Sequence, residues 1–244
     1  MGFTVTTAMT TIFALAALAA PALQSNKIDA YVQPNFHDAS FTAKVLKKDQ
    51  RELEKINDDF GQAYRFANTN VRMKEPFKLR LDASVEDTTV TYVINGTRQH
   101  FKIPRVGINK STDLSKSPGR RQTSLDFGIL TPSLFTDLFD AKFVRVDRAT
   151  NDVVFDLTYQ AKFNDKTRFR VWIDPDKKYV TKREWYQRKG RMVATFIYDT
   201  PVSEGGATMP SKQTVKNGDD VVAGMTSYVG VRINQGLADD IFSF

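Results

Sequence analysis

Cysteine is absent from the 244 residues, and histidine and tryptophan occur only twice each. Without cysteine the chain has no disulfide, no thiolate metal site, no cysteine nucleophile and no N-terminal cysteine to carry a lipid anchor. The two histidines, His37 and His100, have no partner pattern around them and read as surface residues. The chain also lacks a P-loop, a G-x-G-x-x-G turn, a G-x-S-x-G elbow and an H-E-x-x-H pair. Adjacent acids occur at Asp58-Asp59, Asp219-Asp220 and Asp239-Asp240. Neighbours on a strand point to opposite faces, so these pairs read as turns or caps rather than as a converging acid–base couple. Asp174 and Asp176 lack the rest of a calcium loop. No enzyme, no metal and no cofactor is expected.

Long apolar runs are scarce too. The longest, Ile12 to Leu23, is shorter than the roughly 20 residues that span a bilayer. It matches the apolar centre of a secretory leader, with Ala20-Pro21-Ala22 as a cleavage signal before Leu23 and Ala17-Leu18-Ala19 as the alternative. Residues 1–26 carry no charged side chain, so the basic start of a usual leader is missing. An uncleaved anchor or a misplaced start is the competing reading. The expectation is a signal peptide at 1–22 and a single exported domain at 23–244.

The formal charge is +7, from 35 Lys and Arg against 28 Asp and Glu. These cations are scattered along strand-like segments, and Arg120-Arg121 is an isolated pair after Pro118-Gly119. No basic block interleaves with stacking aromatics, so no nucleic-acid partner is expected. Anionic membrane surfaces or acidic partners suit the charge better.

What the chain does have is aromatic residues and alternation: 18 Phe and 8 Tyr, in segments where apolar and polar residues take turns. Phe41 to Leu46 and Tyr64 to Met73 read as strands. Phe77, Leu79 and Leu81 share one face against Lys78, Arg80 and Asp82. Val90, Tyr92 and Ile94 alternate with threonines, and Asn95-Gly96 signals a tight type I′ hairpin before the strand that carries Phe101 and Ile103. Asn95-Gly96-Thr97 also fits a glycosylation sequon, but the turn accounts for the same residues. Further strands are read at 153–159, 168–173, 180–187, 193–198, 211–215 and 221–231, turned at Asp174-Pro175-Asp176-Lys177, Lys189-Gly190 and Asn217-Gly218. Gln50 to Phe60, with Leu53, Ile56 and Phe60 at helical spacing, is a short surface helix or a long connection. Gly107 to Gly128 reads as a mobile polar loop. Leu134, Phe135, Leu138 and Phe139 share one face of a short amphipathic helix, with Thr131 as N-cap and Pro132 in the first turn.

About ten or eleven antiparallel strands with few helices mark a barrel or a strongly curved sheet. Its apolar face is either ordinary core or a cavity for acyl chains. Each buried methylene contributes about 0.8 kcal/mol without needing a polar contact.

The stretch Arg72 to Pro104 resembles the LolA/LolB-like family of lipoprotein carriers. The resemblance rests on the segment before Pro76, the alternating strand after it, and the hairpin at Asn95-Gly96-Thr97 with Phe101 and Pro104. A short helix after a variable loop, the pair of strands around Asp174-Pro175-Asp176-Lys177, a strand start at Pro210, and a closing pattern of Asn234, Leu237, Asp240 and Phe242 extend it over residues 40–242. It implies an unclosed half β-barrel with short capping helices. Phe77, Leu79, Leu81, Val90, Tyr92 and Phe101 would line a lipid cavity, and Leu134, Phe135, Leu138 and Phe139 would form its lid. Such a carrier would be a periplasmic monomer that passes lipoprotein acyl chains or lipids between inner- and outer-membrane transport partners. The other reading on the same fold is an envelope signalling domain that senses lipid or binds a protein through its basic face. The family carries Arg immediately before the proline, as a lid lock. Here that position is Glu75, which reverses the charge.

Overall fold

Alternating segments place one side chain inward and the next outward, and such strands close their backbone hydrogen bonds only by pairing. In the computed structural model, which describes residues 24–85 and 87–244, thirteen strands do so in a single sheet. They are β1 (Asp38–Lys48), β2 (Asn68–Lys74), β3 (Lys78–Val85), β4 (Thr88–Asn95), β5 (Arg98–Ile103), β6 (Ile108–Asp113), β7 (Phe139–Val146), β8 (Val153–Tyr159), β9 (Arg168–Ile173), β10 (Val180–Tyr186), β11 (Met192–Glu204), β12 (Ala207–Asn217) and β13 (Val222–Ile233). Three short helices accompany them: α1 (Gln50–Glu54), α2 (Asp58–Ala63) and α3 (Pro132–Asp137). The expected leader at 1–22 lies outside the described residues.

The strand order is β6-β5-β4-β3-β2-β1-β13-β12-β11-β10-β9-β8-β7, antiparallel throughout. Two meanders, β1 to β6 and β7 to β13, are therefore joined where β1 meets β13. The free edges are β6 and β7, so the sheet is unclosed. The class is the expected one, with two more strands than the upper expectation. One is β6, whose Ile-Asn-Lys-Ser-Thr-Asp sequence is almost wholly exposed at an edge and so shows no alternation. The other is β7, which follows α3 at once. Phe139, expected on the lid helix, is the first residue of β7 and stacks on Tyr159 with ring centroids 4.8 Å apart. The strand expected from Tyr64 begins at Asn68 instead, because Tyr64 caps the end of α2.

The expected mobile loop at 107–128 departs furthest from the structure. After β6 the chain turns inward and lies against the sheet, burying Leu114, Leu125, Phe127, Ile129 and Leu130. Phe127 and Ile129 join a core beneath β1 to β4, while Leu125 and Leu130 join a larger one beneath β7 to β13. The segment is fastened by Val180 N–H to the Gly128 carbonyl (2.9 Å) and Gln33 N–H to the Leu130 carbonyl (2.8 Å). Gly128 sits at φ 78°, and a Cβ there would come within 2.8 Å of Pro210. Polar residues dominate the segment's composition, and its few apolar side chains are those that anchor it.

The outer face is held by ion pairs. Asp82 joins Arg72 (3.2 Å) and Arg80 (2.7 Å), and Asp156 joins Arg168 (2.8 Å) and Arg170 (2.7 Å). The C-terminal segment packs on this face over β3 and β4, with Phe242 fully buried. Its Asp239 bridges Lys74 (2.8 Å) and Lys78 (2.9 Å). Asn234, in the left-handed region at φ 59°, ties the tail to the opening segment, donating to the carbonyls of Asn35 (2.7 Å) and Gly205 (2.8 Å).

Candidate functional site

The register of β3, β4 and β5 brings most of the expected cavity residues onto one face. Leu79 pairs with Ile94, Leu81 with Tyr92, Ala83 with Val90, and Tyr92 with Phe101. Burial falls along this set. Leu79 is 3% exposed and packed in the same core as Phe127 and Ile129. Leu81 and Tyr92 lie half-buried at the margin of that core, and Val90 and Phe101 are half-buried as well. The inner face is therefore filled at Leu79 and opens outward into an apolar strip of Leu81, Tyr92, Val90 and Phe101. Phe77 stands apart from them. It lies in the β2–β3 turn at φ 53°, which breaks the alternation, and it belongs to the larger core. The Arg121 guanidinium lies over its ring, 3.7 Å from the centroid. The hairpin beyond Asn95 turns one residue later than the sequence suggests: Asn95 pairs with Arg98, and of the central residues Gly96 and Thr97 only Gly96 has positive φ, as a type II′ turn needs.

Two covers close the rest of the inner face. One is α3, where Leu134 and Leu138 are fully buried and Phe135 is half-buried. Its start is fixed by a cluster of hydroxyls: Ser124 lies 3.2 Å from Thr131, Thr131 lies 3.1 Å from Ser133, and the Ser133 hydroxyl donates to the Glu75 carboxylate. Burial raises the Glu75 carboxyl above its ordinary value, against the opposing pull of hydrogen bonds from Ser133, Ser124 and Thr131 and the charge of Arg121. Burial also lowers the Arg121 guanidinium. Glu75 thus reaches α3 through neutral hydroxyls.

The second cover, α1–α2, lies over β10 to β13. Leu53, Ile56 and Tyr64 are buried, and the Phe60 ring packs at 5.8 Å from Phe196 and 6.4 Å from Trp185. Asp49 caps α1 by accepting from the Glu52 N–H (3.2 Å), and the Asn217 amide donates to Glu52 at 2.6 Å. Beneath α1–α2, Arg183 is 4% exposed, paired with Asp126 at 2.8 Å, and stacked 4.2 Å from the Phe196 centroid. Two shallow surface hollows of about 250 and 290 Å³ occur around Asn70, and neither contains a residue of the strip.

No family model matches the sequence, and no curated protein matches it. Solved structures do match. A domain named for outer membrane lipoprotein sorting, from Vibrio parahaemolyticus, superimposes with a TM-score of 0.59 at 13% identity, covering 88% of this chain and 92% of its own. A LolA superfamily protein from Nitrosomonas europaea gives 0.56 at 14% identity, covering 86% and 91%. A DUF1329 family protein from Desulfovibrio piger gives 0.58 at 12% identity, covering 88% and 92%. The fold is LolA-like. Within this LolA-like half-barrel, several parts of the site were silent in the sequence. The Glu75–Ser133 contact joins residues 58 positions apart. The inner segment is masked by its polar neighbours, and the Arg183–Asp126 pair carries no local pattern. The basic outer face is already engaged: besides Asp239, the tail offers the Leu237 carbonyl to Lys74 (2.6 Å) and the Ile241 carbonyl to Arg80 (3.0 Å).

Proposed function

We propose that this chain is a periplasmic carrier that holds the acyl chains of lipoproteins or lipids on its inner sheet face. It would act as a monomer that exchanges its cargo with inner- and outer-membrane partners. The observation that carries the reading is the half-buried strip of Leu81, Tyr92, Val90 and Phe101, which continues the core of a LolA-like half-barrel toward its free β6 edge. An acyl chain lying along the strip would exchange water contact for methyl and ring contact, and this grows with chain length rather than depending on any polar group. Deeper insertion requires a cover to move, because Leu79 already packs with Phe127 and Ile129. α3 on its hydroxyl cluster and α1–α2 on β10 to β13 are the elements that would give way. The protein is a binding protein in this reading, with no chemical step.

The test is the affinity for cis-parinaric acid, whose fluorescence rises in apolar surroundings. Phe101→Glu is expected to weaken binding at least about tenfold, or 1.4 kcal/mol, while leaving the thermal midpoint close to that of the parent, because Phe101 is only half-buried. Equal affinity in the two proteins would remove the strip from the site.

A further inference from the structure

Among the described residues, four buried side-chain nitrogen or oxygen atoms have no hydrogen-bond partner: Gln24 Oε1, Arg121 Nε, Arg183 Nε and Trp185 Nε1. Two of the four belong to β10. Residues two apart on a strand share a face, so both N–H groups lie on the inner side, where Arg183 pairs with Phe196 and Trp185 with Phe169. A buried donor without an acceptor forfeits the hydrogen bond it had in water, and native proteins keep few such groups.

The surroundings define the complement. Guanidinium and indole groups only donate, and the acceptors beside them are engaged. The Asp126 carboxylate accepts from Arg183 Nη1 (2.8 Å) through one oxygen and from the Thr123 N–H (2.8 Å) through the other. The Asp126 carbonyl accepts from the Gln213 amide (3.1 Å) and the Tyr198 hydroxyl (3.3 Å). The walls are aromatic rings. Arg183 lies 4.2 Å from the Phe196 centroid and 5.4 Å from that of Phe169, and Phe60 of α2 rests on Phe196 and Trp185. Two donors among such walls fit an acceptor carried on an apolar chain. Charge narrows the choice. Asp126 already balances Arg183, which is 4% exposed. A carboxylate would bring a second anion beside Asp126 and meet no unpaired cation, which burial penalises. A neutral carbonyl brings its lone pairs without a charge.

We infer that Arg183 and Trp185 form a subsite beneath α1–α2 for the ester carbonyl at the head of an acyl chain, reached when α1–α2 lifts and Phe60 withdraws. The inference rests on the carrier reading and adds the class of its cargo: neutral acyl esters rather than free fatty acids. The test is isothermal titration of the purified protein with methyl laurate and with ionised laurate, beside cis-parinaric acid binding. NMR of the ester, isotopically labelled at its carbonyl carbon, is recorded in parallel. Trp185→Phe removes the indole N–H and keeps a ring; Arg183→Lys keeps the charge facing Asp126 and removes the Nε–H. Each is expected to weaken ester binding at least about fivefold, as the loss of one hydrogen bond would. Laurate and cis-parinaric acid should bind both variants as they bind the parent. The carbonyl resonance of the bound ester is expected downfield of its position in an apolar solvent, and nearer that position in Trp185→Phe. Equal weakening of ester and laurate by Trp185→Phe would mark the indole as packing alone. Ester affinity unchanged in both variants, or a bound carbonyl resonance at the apolar-solvent position, would put the ester elsewhere. Each of these overturns the subsite and leaves the carrier reading standing. Laurate held more tightly than the ester, and released by Arg183→Lys, would make this a carboxylate site, against the inference. A protein that binds none of the three ligands overturns the carrier reading and the inference with it.

Discussion

Glu75 shows how one side chain can connect the first meander to α3. The carboxyl of Glu75 meets the Ser133 hydroxyl at the start of α3, and its raised pKa follows chiefly from burial. The sign of the linkage is then fixed. The folded protein holds the Glu75 proton more tightly than the unfolded chain does, so this contribution to stability is fully present below the ordinary value of 4.5 and is lost as pH rises through the raised one. Glu75→Gln, which keeps the hydrogen-bonding shape without the charge, is expected to melt higher than the parent at pH 7, with the gap closing as pH falls toward 4.5. Thermal melts of both proteins across that range check it. A gap that widens toward acid would mean that the carboxylate, not the acid, stabilises the fold. At this scale the sequence flagged the position, since Glu stands where the resemblance expects Arg, but not the partner. Leu79 was equally half-legible: its face is read correctly from alternation, while its burial depends on Phe127 and Ile129, about fifty positions away.

Among the elements, α1 and α2 are too short to be stable alone and owe their order to the sheet beneath them. Tyr64 is the tightest contact, since a Cβ on Gly224 would fall 2.5 Å from its ring. Gly224→Ala should therefore push Tyr64 outward and lift the end of α2, at a cost of about 1–3 kcal/mol. The drop in melting temperature would be about 2–4 °C per kcal/mol for a chain of this size. If α1–α2 is a moving cover, the variant also takes up cis-parinaric acid faster in stopped-flow mixing; an unchanged midpoint would show that Tyr64 does not pack on Gly224. Helical spacing at Leu53, Ile56 and Phe60 made this segment readable. The β6 edge and the inner segment after it were not readable, for opposite reasons. β6 shows no alternation because nearly all of it faces solvent, and the inner segment buries isolated apolar residues without any period.

For the molecule as a whole, the alternation along eleven strands was enough to give the class, and the order of motifs matched a LolA-like half-barrel that the structural likenesses bear out. Alternation cannot say what covers the inner face. The chain fills much of it with its own segment at 114–131 and covers more with α1–α2 and α3, leaving the strip from Leu81 to Phe101 half-buried. The account stands on that strip holding lipid. Native mass spectrometry of the purified protein, with extraction and lipid analysis of whatever dissociates, tests it most directly. The account predicts a bound acylated species at near-stoichiometric amounts, or its appearance after incubation with lipoprotein or phospholipid. A protein that stays free of lipid after both would contradict it.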